Sequence, residues 1–271
     1  MHAKQLHIMT IGAHPDDCEL TTGGTCLLYA SLGHKVKYVY ATNGDAGHQT
    51  LSGPELAAVR ARETASGCAV GGFEYEILDN HDGYLEADIR NRDKLIRIIR
   101  RFRPDILFTH RTNDYHTDHR AAGKLVQSTS YLLMVPNICP DTPALDYAPV
   151  MMNVADSFLK PIPFEATVAV RIDPVFAKKM QMIACHRSQF YDWLPWIGKY
   201  TAQVPSGEEE RFAWLSREIG NWDAALANRI RPVLEERYGP QAEKVEYAEA
   251  FERSEYGGEL TEEMYPYLFP F

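Results

Sequence analysis

The sequence predicts an α/β fold of the doubly wound, Rossmann-like kind, with a mostly parallel sheet, helices on both faces and a helical C-terminal extension. Two observations support this fold class. Short apolar runs rich in β-branched and aromatic residues alternate with longer segments of helical periodicity through the first two thirds of the 271 residues. Two of these runs are followed directly by clusters of histidine and aspartate, as expected where parallel strands end at one edge of a sheet.

The predicted elements follow one another closely. Strands are expected at 6–11, 35–41, 74–78, 106–109, 151–154 and 166–171. Helices are expected at 19–32, 54–70, 86–103, 118–133, 173–186, 208–218 and 222–237. Pro54 suits a first helical turn and Gly71-Gly72 the end of that helix, whereas the proline-rich segment 136–149 is typical of an irregular loop. We expect a core at 1–190 and an extension, 191–271, packed on it.

Composition narrows the classes of protein that fit. A formal net charge of −9 and a pI near 5.6 argue against a nucleic-acid or membrane-surface binder. No window approaches the roughly 18 uncharged apolar residues of a membrane span. Residues 1–5 lead into the first strand without the apolar stretch of a signal peptide, and the five cysteines show neither CxxC spacing nor a regular framework. We therefore expect a reduced, cytoplasmic enzyme; the sequence leaves a homo-oligomer open.

Two acidic histidine motifs are the candidate chemistry of this chain. Ala13-His14-Pro15-Asp16-Asp17 follows the first predicted strand, and His116-Thr117-Asp118-His119 follows the fourth. Histidine nitrogens and carboxylate oxygens are ligands that suit Zn²⁺, and three of them plus water form a catalytic metal site. The alternative for each motif alone is a strand-end turn whose carboxylates cap the next helix. Together the two motifs indicate a metal-dependent hydrolase.

The residues around these motifs make the chain similar to a known group of enzymes. It resembles the LmbE-like (PIG-L) N-deacetylase superfamily, which includes the de-N-acetylases of N-acetylglucosaminyl-phosphatidylinositol and of mycothiol and bacillithiol biosynthesis. The matching segments, in the family's order, are 13–19, Gly23-Gly24-Thr25, 42–47, Arg60 with Glu63, Asp82-Gly83, 116–120 and Ser188-Gln189. The first block and the His116 block are specific, and the others are weak individually. Thr117 stands where the family often has proline, and 138–148 matches poorly.

The resemblance implies a role for each motif residue. His14, Asp17 and His119 would bind Zn²⁺, or Fe²⁺ in its place. Asp16 would be the general base for the attacking water. His116 would stabilise the oxyanion or protonate the leaving amine, and Asp118 would hold the His116 imidazole in orientation. The substrate would be a small acetamido sugar or conjugate, such as an N-acetylglucosamine derivative.

Substrate contacts and competing functions stay open at this point. The resemblance implies that Arg60 binds hydroxyl or phosphate oxygens of the substrate. The alternative, weighted equally, is that Arg60 forms an ion pair with Glu63 or is simply exposed. Asp82 would accept hydrogen bonds from sugar hydroxyls, although the dipeptide Asp-Gly is also common in turns. A metal-dependent phosphoesterase or another amidohydrolase would use the same ligands, and a non-catalytic sugar-binding protein would keep the fold.

Overall fold

The computed structural model describes residues 4–271; the expectation about a signal peptide rests in part on residues 1–3, which lie outside this range. Seven strands and nine α-helices occur in the described chain. In order they are β1 (His7–Gly12), α1 (Asp17–Ser31), β2 (Lys35–Thr42), α2 (Gly53–Gly71), β3 (Glu74–Asn80), α3 (Ile89–Phe102), β4 (Ile106–Thr109), α4 (Thr117–Thr129), β5 (Val150–Val154), β6 (Val168–Arg171), α5 (Phe176–Ala184), α6 (Leu194–Ile197), α7 (Glu208–Arg229), α8 (Arg231–Tyr238), β7 (Ala248–Arg253) and α9 (Tyr265–Leu268).

The strands form one mixed sheet in the order β3-β2-β1-β4-β5-β7-β6. Neighbouring strands among β1 to β5 pair in parallel, while β7 pairs antiparallel with both β5 and β6. The predicted mostly parallel α/β fold is therefore confirmed. Because the chain moves outward from β1 to β2 and β3 and then returns to β4 on its other side, the strand order reverses between β1 and β4. In open α/β sheets a crevice at such a reversal is the usual binding site.

Both faces of the sheet are buried, as helices cover each of them. Side chains alternate along β1, so that Ile8 joins a core with α1, α2 and α5, whereas Met9 and Ile11 join a second core with α3 and α4. The glycines in α1 allow one of these contacts: a Cβ on Gly24 would lie 2.5 Å from Ile172 Cγ2. Gly24 therefore permits close packing of α1 against the residue that follows β6.

Strand β7 was not predicted, because its sequence Ala-Glu-Ala-Phe-Glu-Arg lacks a long apolar run. It contributes a buried charge, Glu249, whose carboxylate accepts hydrogen bonds from the Gly24 and Thr25 backbone N–H groups, both at 2.8 Å. Lys179 Nζ lies 2.9 Å from the same carboxylate. The boundary at residue 190 stays a prediction; the structure adds that the segment beyond it supplies a strand to the interior of the sheet.

The predicted break between 218 and 222 was wrong, since α7 continues through Gly220. A Cβ at Gly220 would lie only 3.0 Å from Phe176 Cζ, so this glycine permits a close contact with α5 rather than ending the helix. The actual break comes at Ile230, directly before Arg231-Pro232, where proline suits a first helical turn. Neither α7 nor any other helix within residues 4–271 has the length and apolar character needed to cross a bilayer.

Candidate active site

Two turns at the carboxyl ends of adjacent strands form the site. The first turn, residues 13–17, leaves β1 and enters α1, and the second turn, residues 110–119, leaves β4 and enters α4. Because β1 and β4 pair in parallel, both turns emerge at the same edge of the sheet. The sequence motifs, almost a hundred residues apart, are thus brought side by side at the reversal of strand order.

Asp17 organises the first turn. Its Oδ2 accepts hydrogen bonds from the backbone N–H groups of Ala13, at 2.9 Å, and His14, at 2.7 Å. This fold-back brings the helix start against the strand end, and a Cβ at Gly12 would lie 2.8 Å from Asp17 Cβ. Gly12 therefore allows the carboxylate to sit under the turn with its other oxygen, Oδ1, directed to the second turn.

The three predicted metal ligands converge on one point. His14 Nδ1 lies 3.4 Å from Asp17 Oδ2 and 3.2 Å from His119 Nε2, and His119 Nε2 lies 3.4 Å from Asp17 Oδ1. Ligands bound to Zn²⁺ at about 2.0–2.1 Å are about 3.3–3.4 Å apart at the corners of a tetrahedron. The two histidine nitrogens and the Asp17 carboxylate are therefore separated by distances close to those in a tetrahedral site, with a different Asp17 oxygen facing each histidine.

Carboxylates hold the two imidazoles from behind. His14 Nε2 lies 3.2 Å from both Asp118 Oδ2 and Asp82 Oδ1, and His119 Nδ1 lies 3.1 Å from Asp114 Oδ1. Such partners fix the tautomer of a metal-binding histidine and leave its other nitrogen free for the ion. In both histidines the nitrogen left free is the one that faces Asp17. The carboxylates behind the two rings therefore leave free the same two nitrogens, His14 Nδ1 and His119 Nε2, that lie close to Asp17.

Asp118 differs from its expected role. The resemblance implied that it would orient His116, but its fully buried carboxylate contacts His14 and accepts backbone hydrogen bonds from Gly83, at 2.6 Å, and Leu85, at 3.1 Å. These bonds tie the loop after β3 to the second turn. As a result, Asp82 lies beside His14 instead of remaining in a free turn.

The charges of the three ligands support one another. Burial favours the neutral form of His119, but the Asp17 charge and the Asp114 hydrogen bond outweigh it and raise the pKa of His119 to about 9. Burial likewise opposes charge on His14, yet its hydrogen bonds to Asp118, Asp17 and Asp82 raise the pKa of His14 well above its usual range. The pKa of Asp17 is held well below normal against burial, chiefly by the charges of His119 and His110. This cluster stabilises positive charge, which is what a metal ion would supply.

Asp16 is held quite differently from its neighbour. Its backbone adopts a φ of 144°, which L-residues rarely occupy and which costs about 1–3 kcal/mol. The side chain, only 3% exposed, does not cap α1 but lines a cavity of 380 Å³ above the ligands. Burial and the nearby Asp17 charge raise the pKa of Asp16 to about 7, although Arg60 and His186 lower it in part. A carboxyl with such a pKa can exchange protons near neutrality.

His116 lines the same cavity, and its ring centroid lies 4.4 Å from that of His14. Its Nδ1 accepts a hydrogen bond from the Asp118 backbone N–H at 3.2 Å, capping α4. A neutral His116 therefore carries its proton on Nε2. Burial and the charges of His14 and His119 lower the pKa of His116. This neutral ring can donate a hydrogen bond through Nε2.

The predicted substrate residues both border the cavity. Arg60, 3% exposed, donates to the Gly47 carbonyl at 2.8 Å and to Gln189 Oε1, while its Nε and Nη1 have no hydrogen-bond partner among the described residues. The alternative ion pair with Glu63 does not form, since Glu63 accepts from the Ser188 backbone N–H and hydroxyl. Arg60 therefore has buried donors to spare for a ligand.

Two histidines outside the motifs also belong to the surroundings of the site. His110, left out of the prediction, stacks on His119 with ring centroids 4.1 Å apart, and its Nε2 lies 3.2 Å from Asp17 Oδ2. Its position directly after β4 was the signal that could have found it. His186 pairs with Glu19 at 3.0 Å in the core. Three other groups also bring possible ligand atoms together: Asp17, His110 and His119; His14, His116 and His119; and His14, Asp82 and Asp118. Among the described residues, the second ring nitrogen of His110 or His116 has no carboxylate as a hydrogen-bond partner.

Comparison with known proteins agrees with this geometry. Residues 9–130, which contain both motifs, match the family model described as PIG-L, GlcNAc-PI de-N-acetylase. This segment of the chain is similar to the PIG-L family. The resemblance seen in the motifs is thereby confirmed, and the matched range covers β1 to the end of α4, the part of the PIG-L domain that contains every predicted metal ligand.

Similarity to individual proteins extends beyond the range matched by the family model. The diacetylchitobiose deacetylase of Thermococcus kodakarensis is 27% identical over 201 residues, covering 70% of this chain and 74% of that protein. The structure of the N,N'-diacetylchitobiose deacetylase from Pyrococcus horikoshii with its inhibitor MPG has a TM-score of 0.67 and 25% identity, over 93% of this chain and 84% of the other. The 4-carboxy-2-hydroxymuconate hydratase of Pseudomonas putida shares the fold, with a TM-score of 0.73 at 19% identity over 95% and 99% of the two chains.

Proposed function

We propose that this protein is a metal-dependent N-deacetylase that hydrolyses the acetamide of an N-acetylglucosamine-like sugar or conjugate. The observation that carries the proposal is a group of two histidine nitrogens and the Asp17 carboxylate, 3.2–3.4 Å from one another, with the uncommitted Asp16 carboxylate in the cavity beside them. The PIG-L domain and two deacetylases among its relatives support the choice of an amide as substrate.

His14, Asp17 and His119 would hold the metal ion. Two imidazoles and one carboxylate suit Zn²⁺ and are also acceptable to Fe²⁺. When bound, the ion supplies Lewis-acid polarisation of the amide carbonyl and lowers the pKa of water. Asp118 and Asp114 act through the imidazoles that they hold, so we assign Asp118 to positioning His14 rather than to contact with substrate.

Asp16 would take the proton of the attacking water and return it to the leaving nitrogen. Its pKa of about 7 suits both directions, because the carboxyl is neither a strong acid nor permanently protonated at neutral pH. His116 would donate its Nε2 proton in a hydrogen bond to the oxygen that becomes negative as the amide carbon is attacked. Because an amine leaves only when its nitrogen is protonated, the return of the proton from Asp16 to the leaving nitrogen is required.

Arg60 and Asp82 would recognise the sugar. The free Nε and Nη1 donors of Arg60 can bind hydroxyl oxygens without breaking its bonds to Gly47 and Gln189. Asp82 has one oxygen against His14, which leaves the other for a hydroxyl. Trp193 also borders this cavity and offers a ring face to a sugar.

The test is product analysis with the metal-free protein before and after addition of Zn²⁺ or, without oxygen, Fe²⁺. The substrates are N-acetylglucosamine, diacetylchitobiose and a glucosaminide conjugate, with matched phosphate monoesters. We expect free amine and acetate in equal amounts only when metal is present. Phosphate release would favour the phosphoesterase. Tight sugar binding without turnover would favour the non-catalytic protein, and water addition to an unsaturated acid without amide cleavage would favour a hydratase.

A further inference from the structure

Two cavities, not one, border the metal ligands. The first, of 380 Å³, contains Asp16, His116 and Arg60. The second, of 590 Å³, lies between the second turn, the end of β5 and helix α7. The two cavities have five lining residues in common: Asp17, Leu20, Tyr115, His119 and Trp222. The two predicted ligands in this shared set place the metal point at the boundary between the cavities.

The chemistry of amide hydrolysis assigns one side of the substrate to each cavity. Water adds its oxygen to the carbonyl carbon, the C–N bond breaks, and the nitrogen takes up a proton to leave as an amine, with a carboxylic acid as the other product. The nitrogen must therefore lie within reach of Asp16 and His116, both of which border only the first cavity. The other substituent of the carbonyl carbon, the acyl group, then points away from them.

The second cavity is suited to an apolar group. Its walls include Phe158, Ile219 and Leu226. Three of its charged residues are paired: Arg111 lies 3.2 Å from Asp156, and the Asp223 carboxylate lies 2.8 Å from Lys179, which is buried and does not line the cavity. Arg229 also lines the cavity. Paired charges bind a polar ligand weakly, so what the cavity offers an incoming group is mainly apolar surface. Its 590 Å³ also far exceeds the roughly 30 Å³ that a group the size of water, or a methyl, occupies.

We propose that this second cavity, the acyl cavity, receives the acyl substituent of the amide and that the protein cleaves N-acyl sugars whose acyl chain is longer than acetyl. The proposal rests on the proposed function, because it needs the amide carbon at the metal ligands. It extends that function by naming a substrate class, the N-acyl amino sugars with chains of about four to eight carbons.

Alkyl hydroxamates test the proposal without reference to the sugar. A hydroxamate binds a metal ion with its polar end, so the alkyl chain reports the space beyond. We expect the zinc-loaded protein to bind acetohydroxamate, butanohydroxamate and hexanohydroxamate with affinity rising about two- to fourfold per added methylene, as measured by calorimetry. Flat or falling affinity along the series would overturn the proposal.

A matched pair of variants on α7 locates the chain. Ala225 is exposed and borders only the acyl cavity, whereas Ala213 is exposed on the same helix and borders neither cavity. We expect Ala225→Trp to lower the affinity ratio of hexanohydroxamate to acetohydroxamate by at least about tenfold. Ala213→Trp should leave this ratio unchanged, which controls for a bulky residue on the helix. Equal ratios in the two variants would place the chain elsewhere and overturn the proposal.

Turnover then separates this inference from the proposed function. With N-acetyl, N-butanoyl and N-hexanoyl glucosamine as substrates and released amine as the readout, we expect kcat/KM for hexanoyl to equal or exceed that for acetyl. Amine from the acetyl substrate alone, with a loss above about a hundredfold at butanoyl, would overturn the acyl-chain inference and leave the deacetylase intact. Absence of amine from every substrate together with absence of hydroxamate binding would contradict both.

Discussion

In each of the two turns of the site, the two functional side chains are held in opposite ways. In the first turn, Asp17 is fixed by two backbone N–H groups and is kept charged, while Asp16 beside it sits on a strained backbone with a pKa of about 7. In the second turn, His119 is fixed by Asp114 and is kept protonated, while the pKa of His116 is lowered. Each turn thus offers one anchored group and one group whose charged form is disfavoured.

This contrast separates two tasks that require different electrostatics. A metal ligand benefits from fixed geometry and from surroundings that complement the charge of the site. A group that moves protons needs a pKa near the working pH, which burial and a like charge provide for Asp16. Adjacent residues of the same type can therefore differ in function because only one of them is hydrogen-bonded to the turn.

Removal of the anchored histidine should have the largest effect. In His119→Ala, one ligand and its link to Asp114 are lost, so we expect loss of bound metal and a fall in amide hydrolysis of at least about 10³-fold. Metal content by elemental analysis and amine release check both parts.

His116→Ala is the matched control in the same turn. Because His116 has no carboxylate behind it and caps α4 through Nδ1, we expect this variant to keep the metal and to lose about 10²–10³-fold in kcat. If His116→Ala lost the metal while His119→Ala retained it, the division between anchored and free histidines would be reversed.

A smaller effect is expected from the carboxylate behind the anchored histidine. Asp114→Asn keeps the size of the side chain but weakens its hydrogen bond to His119 Nδ1, so metal affinity should fall by about 10–100-fold. Competition with a metal-binding dye measures the change. Asp79→Asn, on an exposed ion pair with Lys94, is a surface control and should leave metal affinity as it is. Unchanged affinity in Asp114→Asn would show that the anchor of His119 lies elsewhere.

The smallest expected effect is the release of protons when the metal ion binds. The raised pKa values of His14 and His119 mean that both are protonated at pH 7 in the metal-free protein, and a metal ion must displace these protons. We expect release of about two protons per Zn²⁺ at pH 7, with affinity rising as the pH increases toward the pKa of about 9 of His119. Calorimetry in buffers of different ionisation enthalpy measures the release. Binding that releases no protons and is independent of pH would contradict the assignment of these two ligands.

The parallel half of the fold could be predicted because its strands are continuous apolar runs that end in polar motifs. β1 and β4 are buried on both faces, so their sequences differ visibly from that of the strongly amphipathic helix α3. The same strand ends carry the predicted metal ligands. The location of the site could be predicted from local sequence, because each motif lies within a few residues of the strand that positions it.

The remaining features depend on contacts between distant residues. β7 contains Glu249, whose burial is tolerated only because Lys179 and the α1 backbone bind its carboxylate from other parts of the chain. The continuity of α7 through Gly220 could not be predicted, because the close contact of this residue with Phe176 leaves no trace in the local sequence. The role of Asp118 depended on which histidine lies nearer, which only the packed turns determine.

Asp16 is expected to transfer protons and Asp17 to bind the metal, and the variant Asp16→Ala tests this difference most directly. Metal content and kcat for amide hydrolysis are measured on the same sample, with Asp17→Ala as the partner variant. We predict that Asp16→Ala keeps nearly all of its metal and loses about 10²–10⁴-fold in kcat, whereas Asp17→Ala loses both. Turnover near that of the wild type in Asp16→Ala, or loss of its metal, would contradict the account.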